Sequence, residues 1–248
     1  MSDAPLAALV TGSGRNIGRA IALELAARGM RVAVHGHRNR DAAEDTAAAV
    51  RDAGSEAVVV MGDLGARADV GDIAARAIAA FGGIDVLVNN AAIRPQCALE
   101  ALAEADWHHV FAVNLHSAFL LTQAFVPAMK RKGFGRVLYF TGMNAMHGYV
   151  ARPHVSASKH ALWGLTKALA KELGPAGITV NAISPGPIAT EHPDNPDMAQ
   201  HIASMVGRVP LGRLGTPQEI AALCAFLCST QGGYVSGQMI ACNGAAET

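Results

Sequence analysis

The chain has 248 residues, 51% of them apolar and 16% charged, enough to bury a sizeable core in one large α/β domain or two small ones. Twenty basic residues balance twenty acidic ones with no dense basic run, which argues against nucleic acid or an anionic membrane as the main partner. No signal peptide is recognised and no uninterrupted apolar run has the length of a membrane span, so a reduced, cytoplasmic setting is expected.

Short apolar runs alternate with longer Ala-rich amphipathic stretches. LAALVTG (6–12) reads as a buried strand entering a turn, and IGRAIALELAAR (17–28) as a helix stopped by Gly29. A strand at 31–36, a helix at 40–53, a strand at 56–64, a helix at 69–81 and a strand at 84–92 follow. Residues 104–131 read as one long helical region and 135–142 as the fifth strand. A helix at 155–173, a strand at 178–186, a helix at 217–228 and a strand at 238–244 close the chain. This alternation predicts a doubly wound parallel sheet with helices on both faces, a Rossmann-type α/β fold in one domain over 1–248. The irregular stretch 187–212, rich in Pro, His and Asp, is expected to serve the substrate side, as a lid or as a surface insertion. Cys224 and Cys228, one turn apart, read as core residues.

TGSGRNIG (11–18) joins the first strand to the first helix. Glycines there let the backbone approach a phosphate, and the helix N-terminus offers free N–H groups and a positive dipole end. Opening a βαβ unit, this turn points to a dinucleotide. Thr11-Gly12, Gly18, Asn89-Asn90-Ala91, PGPIAT (185–190) and GRLGTPQEIA (212–221) occur in order. Together they resemble the short-chain dehydrogenase/reductase family over roughly residues 5–245. Two departures stand out: Asn16 replaces the family's middle glycine, and Ala92 the glycine ending its NNAG. Asn tolerates the left-handed conformation better than most residues, so the turn is expected to survive.

The resemblance assigns the turn Gly12, Gly14, Arg15, Asn16, Ile17 and Gly18 to the cofactor. Asp63 and Leu64 would contact its adenine. Asn90 and Ala91 join the cofactor set, and Pro185, Gly186, Ile188 and Thr190 its nicotinamide side. Members that prefer NAD carry an acidic residue at the end of the second strand. Here Gly36 is followed by His37 and Arg38, and Arg15 lies in the turn. Guanidinium groups suit a 2′-phosphate, so NADP(H) is expected over NAD(H).

The family's chemistry uses a tyrosine activated by a lysine one turn later, a serine and an asparagine. By resemblance Asn114 and Lys159 are retained, and Lys159 also serves the ribose. The tyrosine position is Val155 and the serine position Gly142, so the usual mechanism is missing two groups. Tyr149 and Asn144 fall where the family lines its substrate pocket, with His147 and His154 beside them. Tyr149, His147 and His154 are the candidate substitutes for the lost acid. Gly142 and Val155 would widen the pocket. The ten histidines show no HxxxH or HExxH pattern, so no metal is expected.

Three functions follow from this reading: an NADP(H)-linked oxidoreductase acting on a small carbonyl or alcohol, a non-redox hydrolase, lyase or isomerase, and a non-catalytic dinucleotide binder. The resemblance also implies a homodimer or homotetramer, formed through the helices around 104–131 and 155–173.

Overall fold

A computed structural model describes residues 4–191, 200 and 202–246. Seven strands form one sheet: β1 (Ala7–Val10), β2 (Arg31–Gly36), β3 (Ala57–Met61), β4 (Val86–Asn89), β5 (Gly135–Phe140), β6 (Ile178–Pro185) and β7 (Met239–Cys242). Their order is β3-β2-β1-β4-β5-β6-β7, and every pairing is parallel. The order reverses between β1 and β4, which opens a crevice at the carboxyl ends of these strands.

Alternating side chains of each strand feed two separate cores. Ala8 and Val10 of β1 pack with Ile21 and Leu25 of α1 (Asn16–Ala27), and with Ile220 and Cys224 of α7 (Pro217–Cys228). The helix α2 (Arg40–Asp52) lies on the same face. Leu9 faces the other side, toward Ile73 of α3 (Arg67–Phe81), Phe125 of α5 (Ser117–Lys132) and Leu162 of α6 (Pro153–Leu173). Both Cys224 and Cys228 are fully buried free thiols in the first of these cores.

The long helical region is not uniform. α4 (Glu104–Phe111) runs into a π-helical turn, Ala112–His116, before α5 begins. The extra residue in that turn shifts the helical register at buried Asn114. The stretch Glu104–Lys132 is, by length and composition, apolar enough to cross a bilayer, contrary to the sequence reading. Its apolar face is nevertheless occupied by the sheet: Leu121, Phe125 and Met129 are buried there. α6 starts at Pro153, two residues before the expected start, because proline is preorganised for the first helical position.

The segment GRLGTPQEIA has a local structural role. Thr216 and Glu219 form a reciprocal capping box that starts α7, and Arg213 grips both Glu219 oxygens at 2.9 and 2.6 Å. The Arg213 side chain holds the Glu219 carboxyl down at about 2.

Candidate active site

The predicted cofactor residues gather at the carboxyl ends of β1 to β4 and of β6. The turn after β1 is shaped by close backbone approach. A methyl group on Gly18 would lie 2.2 Å from the Gly12 carbonyl oxygen, so only glycine lets the helix start there. α1 has no side-chain cap, whereas Asn39 caps α2 and Thr216 caps α7. Its first N–H groups are thus left for an external acceptor such as a phosphate.

His35 holds this turn from below. The Gly12 N–H donates to His35 Nδ1 at 3.0 Å, which leaves the proton on Nε2, 3.2 Å from the Gly62 carbonyl. Burial pushes the imidazole down to about 4, so it stays neutral. Asn16 adopts the left-handed conformation with φ 51°, as its small polar side chain allows. Its amide also reaches across the crevice. Nδ2 donates to the Glu191 carbonyl at 3.0 Å and Oδ1 accepts from the Glu191 N–H at 2.9 Å. Ile17, Gly14 and the exposed Arg15 complete the turn.

After β2, His37 stands 3.7 Å from Asp63, and Leu64 beyond it is buried. Arg15 and Arg38 are both exposed and have no ion pair or side-chain hydrogen bond among the described residues. After β4, Asn90 Nδ2 donates to the carbonyls of Thr11 and Gly12 at 2.8 and 3.2 Å, and the Ala91 N–H donates to Thr11 Oγ1 at 3.0 Å. These two residues brace the glycine turn.

A cavity of about 240 Å³ opens beside this cradle. Ile17, Asn90, Pro185, Gly186, Ile188 and Thr190 of the predicted cofactor set line it, together with Gly142, Tyr149 and Lys159. Residues expected on the cofactor side and on the substrate side therefore share one space. Ile202 and Met205, from the irregular stretch 187–212, also reach its wall.

Lys159 is buried on α6 and its Nζ donates to the Phe140 carbonyl at 2.5 Å. Burial, helped by the positive charge of Arg94, brings its ammonium down to about 7. Asn114 does not line the cavity. Its Oδ1 accepts from the Ile93 N–H at 2.9 Å, and its Nδ2 donates to the Ile93 carbonyl at 3.0 Å and Ser158 Oγ at 3.2 Å. The π-helical turn thus aims an amide that clamps the loop after β4.

Val155 is fully buried, one turn before Lys159, and is not on the cavity wall. Gly142 lines the cavity with φ 70° and ψ 175°, a conformation reached essentially by glycine alone. Of the three tyrosines, Tyr139 is in the core and Tyr234 is fully exposed, so Tyr149 is the phenol at the cavity. Its N–H donates to Ser156 Oγ at 3.2 Å, which ties its loop to the first turn of α6.

The two histidines are placed elsewhere. His147 is exposed and off the wall. His154 is fully enclosed on α6, with burial lowering its pKa against the opposing charge of Asp106, and it too is off the wall. The Asn144 side chain lies outside the described atoms, as do residues His192 and His201. Among the described residues no three His, Cys, Asp or Glu side chains converge as a metal site would require.

Sequence reasoning missed two charged lining residues, Arg94 and Arg152, along with apolar and small ones such as Phe140, Thr141 and Met143. The only signal for Arg94 was its place four residues after Asn90.

The sequence profile of a protein family described as enoyl-(acyl carrier protein) reductase matches residues 12–245. A 3-oxoacyl-[acyl-carrier-protein] reductase of Synechocystis is 38% identical, covering 93% of this chain and 92% of its own. The short-chain reductase protein NovJ of Streptomyces niveus is 37% identical over 96% of this chain and 92% of its own. Among solved structures, a short-chain dehydrogenase/reductase of Serratia marcescens superposes with a TM-score of 0.91 at 35% identity, covering 98% of each chain. Acetoin dehydrogenase YohF of Salmonella typhimurium superposes with a TM-score of 0.89 at 32% identity, covering 97% of this chain and 95% of its own.

Proposed function

The chain belongs to the short-chain dehydrogenase/reductase family, and on that premise we propose that it is an NADP(H)-linked oxidoreductase interconverting a small carbonyl compound and its alcohol, with Tyr149 as proton donor and acceptor. One observation carries the reading: Tyr149 and Lys159 face the same cavity as the nicotinamide-side residues Pro185, Gly186, Ile188 and Thr190. The relatives and solved structures described above bear reductase or dehydrogenase names, which favours redox chemistry over a hydrolase, lyase, isomerase or purely binding role.

The cradle fits a dinucleotide. Gly12 and Gly18 leave room that a Cβ would fill, and the uncapped start of α1 offers N–H donors to a pyrophosphate. Arg15 and Arg38 would take the 2′-phosphate, being uncommitted and close to the ends of β1 and β2. The bound cofactor supplies or accepts the hydride. Lys159 holds the ribose side, Asn114 fixes the loop after β4, and Tyr149 transfers the proton on the substrate oxygen. Val155 and Gly142 occupy the positions of the family's tyrosine and serine, so the proton path differs from that of most members.

The experiment is an absorbance assay at 340 nm with NADPH or NADH and a panel of small ketones, aldehydes and oxo acids. NADPH consumption on at least one carbonyl, with a lower KM than NADH, is expected. Arg15→Ala with Arg38→Ala should weaken NADPH at least about tenfold and leave NADH little changed. No consumption with any carbonyl, alongside turnover of a substrate at constant NADPH, would move the assignment to non-redox chemistry. A homodimer or homotetramer is the accompanying proposal, supported by the half-exposed edge strand β7 and by Phe119 exposed on α5. Light scattering reads it directly.

A further inference from the structure

We propose that the cavity takes a substrate bearing a carboxylate, held between the guanidinium groups of Arg94 and Arg152. This deepens the reading above, because it treats the cavity as the substrate site of a reductase.

Arg94 follows β4 and Arg152 is the N-cap residue of α6, far apart in sequence. Both line the same cavity, and so does Lys159, while among the described residues no Asp or Glu does. The two loops are stitched together: the Cys97 N–H donates to the Ala151 carbonyl at 2.7 Å. Asn114 clamps Ile93, the residue before Arg94, by both N–H and C=O. Ala151, just before Arg152, is held in the left-handed region with φ 56°, where a residue with a Cβ is strained. The arginine positions are therefore fixed by the backbone on both sides.

Neither guanidinium has an ion pair or side-chain hydrogen bond among the described residues. Arg152 Nε is buried with no acceptor, and the Arg152 guanidinium carbon lies 6.0 Å from the Tyr149 ring centroid. A buried N–H donor without an acceptor is costly. The charges also act on one another: although Arg94 is exposed as a residue and Arg152 half-buried, desolvation at the Arg94 guanidinium and the charge of Arg152 weaken its hold on its proton, and Arg94 does the same to Lys159. Like charges gathered in one partly desolvated space favour an anion. The Nε–H and an adjacent Nη–H form the planar fork that accepts a carboxylate bidentately. Because the same wall carries Tyr149, the acceptor sits near the reacting oxygen, which gives an oxo acid or hydroxy acid as the substrate class.

The test compares acids with esters of the same carbonyl: acetoacetate with methyl acetoacetate, and levulinate with methyl levulinate. Wild type should prefer an acid over its ester by at least about tenfold in kcat/KM. In Arg94→Gln with Arg152→Gln that ratio should fall to near one, with NADPH affinity and the thermal midpoint confirming an intact fold. Calorimetric titration of levulinate into the NADP⁺-loaded protein gives a readout without turnover, and binding should be lost in the double variant. Equal use of acid and ester by wild type, or a preference that survives in the double variant, overturns the carboxylate anchor while leaving the redox reading intact. Arginine-dependent levulinate binding without any NADPH oxidation would instead support the anchor and sink the redox reading.

Discussion

Lys159 is an ammonium group enclosed by protein, with one carbonyl acceptor at Phe140 and a guanidinium nearby. Its pKa of about 7 lies below the 10.5 of an exposed lysine. Between those two values the unfolded chain binds a proton that the folded chain has released, so stability rises as pH climbs from about 7 to about 10.5. At pH 7 the burial therefore costs stability, on the order of a few kcal/mol. Lys159→Met should raise the thermal midpoint at pH 7 by roughly 5–10 °C while abolishing NADPH binding. An unchanged or lowered midpoint would show that the buried ammonium is already compensated. Gly142 raises a different question. A Cβ there would meet no atom within 4 Å, yet φ 70° with ψ 175° disfavours any side chain. Gly142→Ala should thus cost about 1–3 kcal/mol through backbone strain alone, read as a lower urea midpoint. For the same reason, Gly142→Ser with Val155→Tyr should fail to install a faster reaction. A double variant that outpaces wild type would show that the turn after β5 adapts to the serine.

The elements around the crevice are tied to one another by a few polar side chains. His35, near the carboxyl end of β2, bonds the turn after β1 and the end of β3 at once. Its folded pKa of about 4 lies below the usual 6.5. As pH falls below 6.5 the unfolded chain takes up a proton that the folded chain refuses until about pH 4, so stability is lost across that window. The full loss is about 3 kcal/mol. Urea midpoints at pH 7.5, 5.5 and 4.5 should fall more steeply for wild type than for His35→Gln, whose amide can replace both bonds. Parallel curves for the two proteins would remove His35 from this account. The π-helical turn has a comparable role. It rotates Asn114 toward Ile93 and so sets the loop that carries Arg94.

For the molecule as a whole, the doubly wound sheet was legible in the sequence, because apolar periodicity and glycine punctuation are local signals. The glycine turn 11–18 could be placed for the same reason, and the residues after β4 and β6 through the family resemblance. Much of the site could not. Arg94 and Arg152 carry no motif and meet only because the β4 loop and the start of α6 converge. The histidines beside Tyr149 in sequence, His147 and His154, are turned off the cavity wall by the loop and by the helix face they occupy. The backbone of Gly142 has no sequence signature at all, since a glycine in place of a serine reads only as a lost hydroxyl. His35 fell inside the second expected strand, with no hint of its bond to Gly12.

The proposed proton transfer by Tyr149 depends on its hydroxyl group at the cavity wall. Steady-state kinetics of Tyr149→Phe beside wild type, with NADPH and the best carbonyl substrate, tests it most directly. The phenyl ring keeps the shape of the wall and removes only the hydroxyl. A fall in kcat of about 10²–10⁴ with NADPH affinity unchanged is expected. A kcat within a factor of about two of wild type, which is negligible against the expected loss, would contradict it.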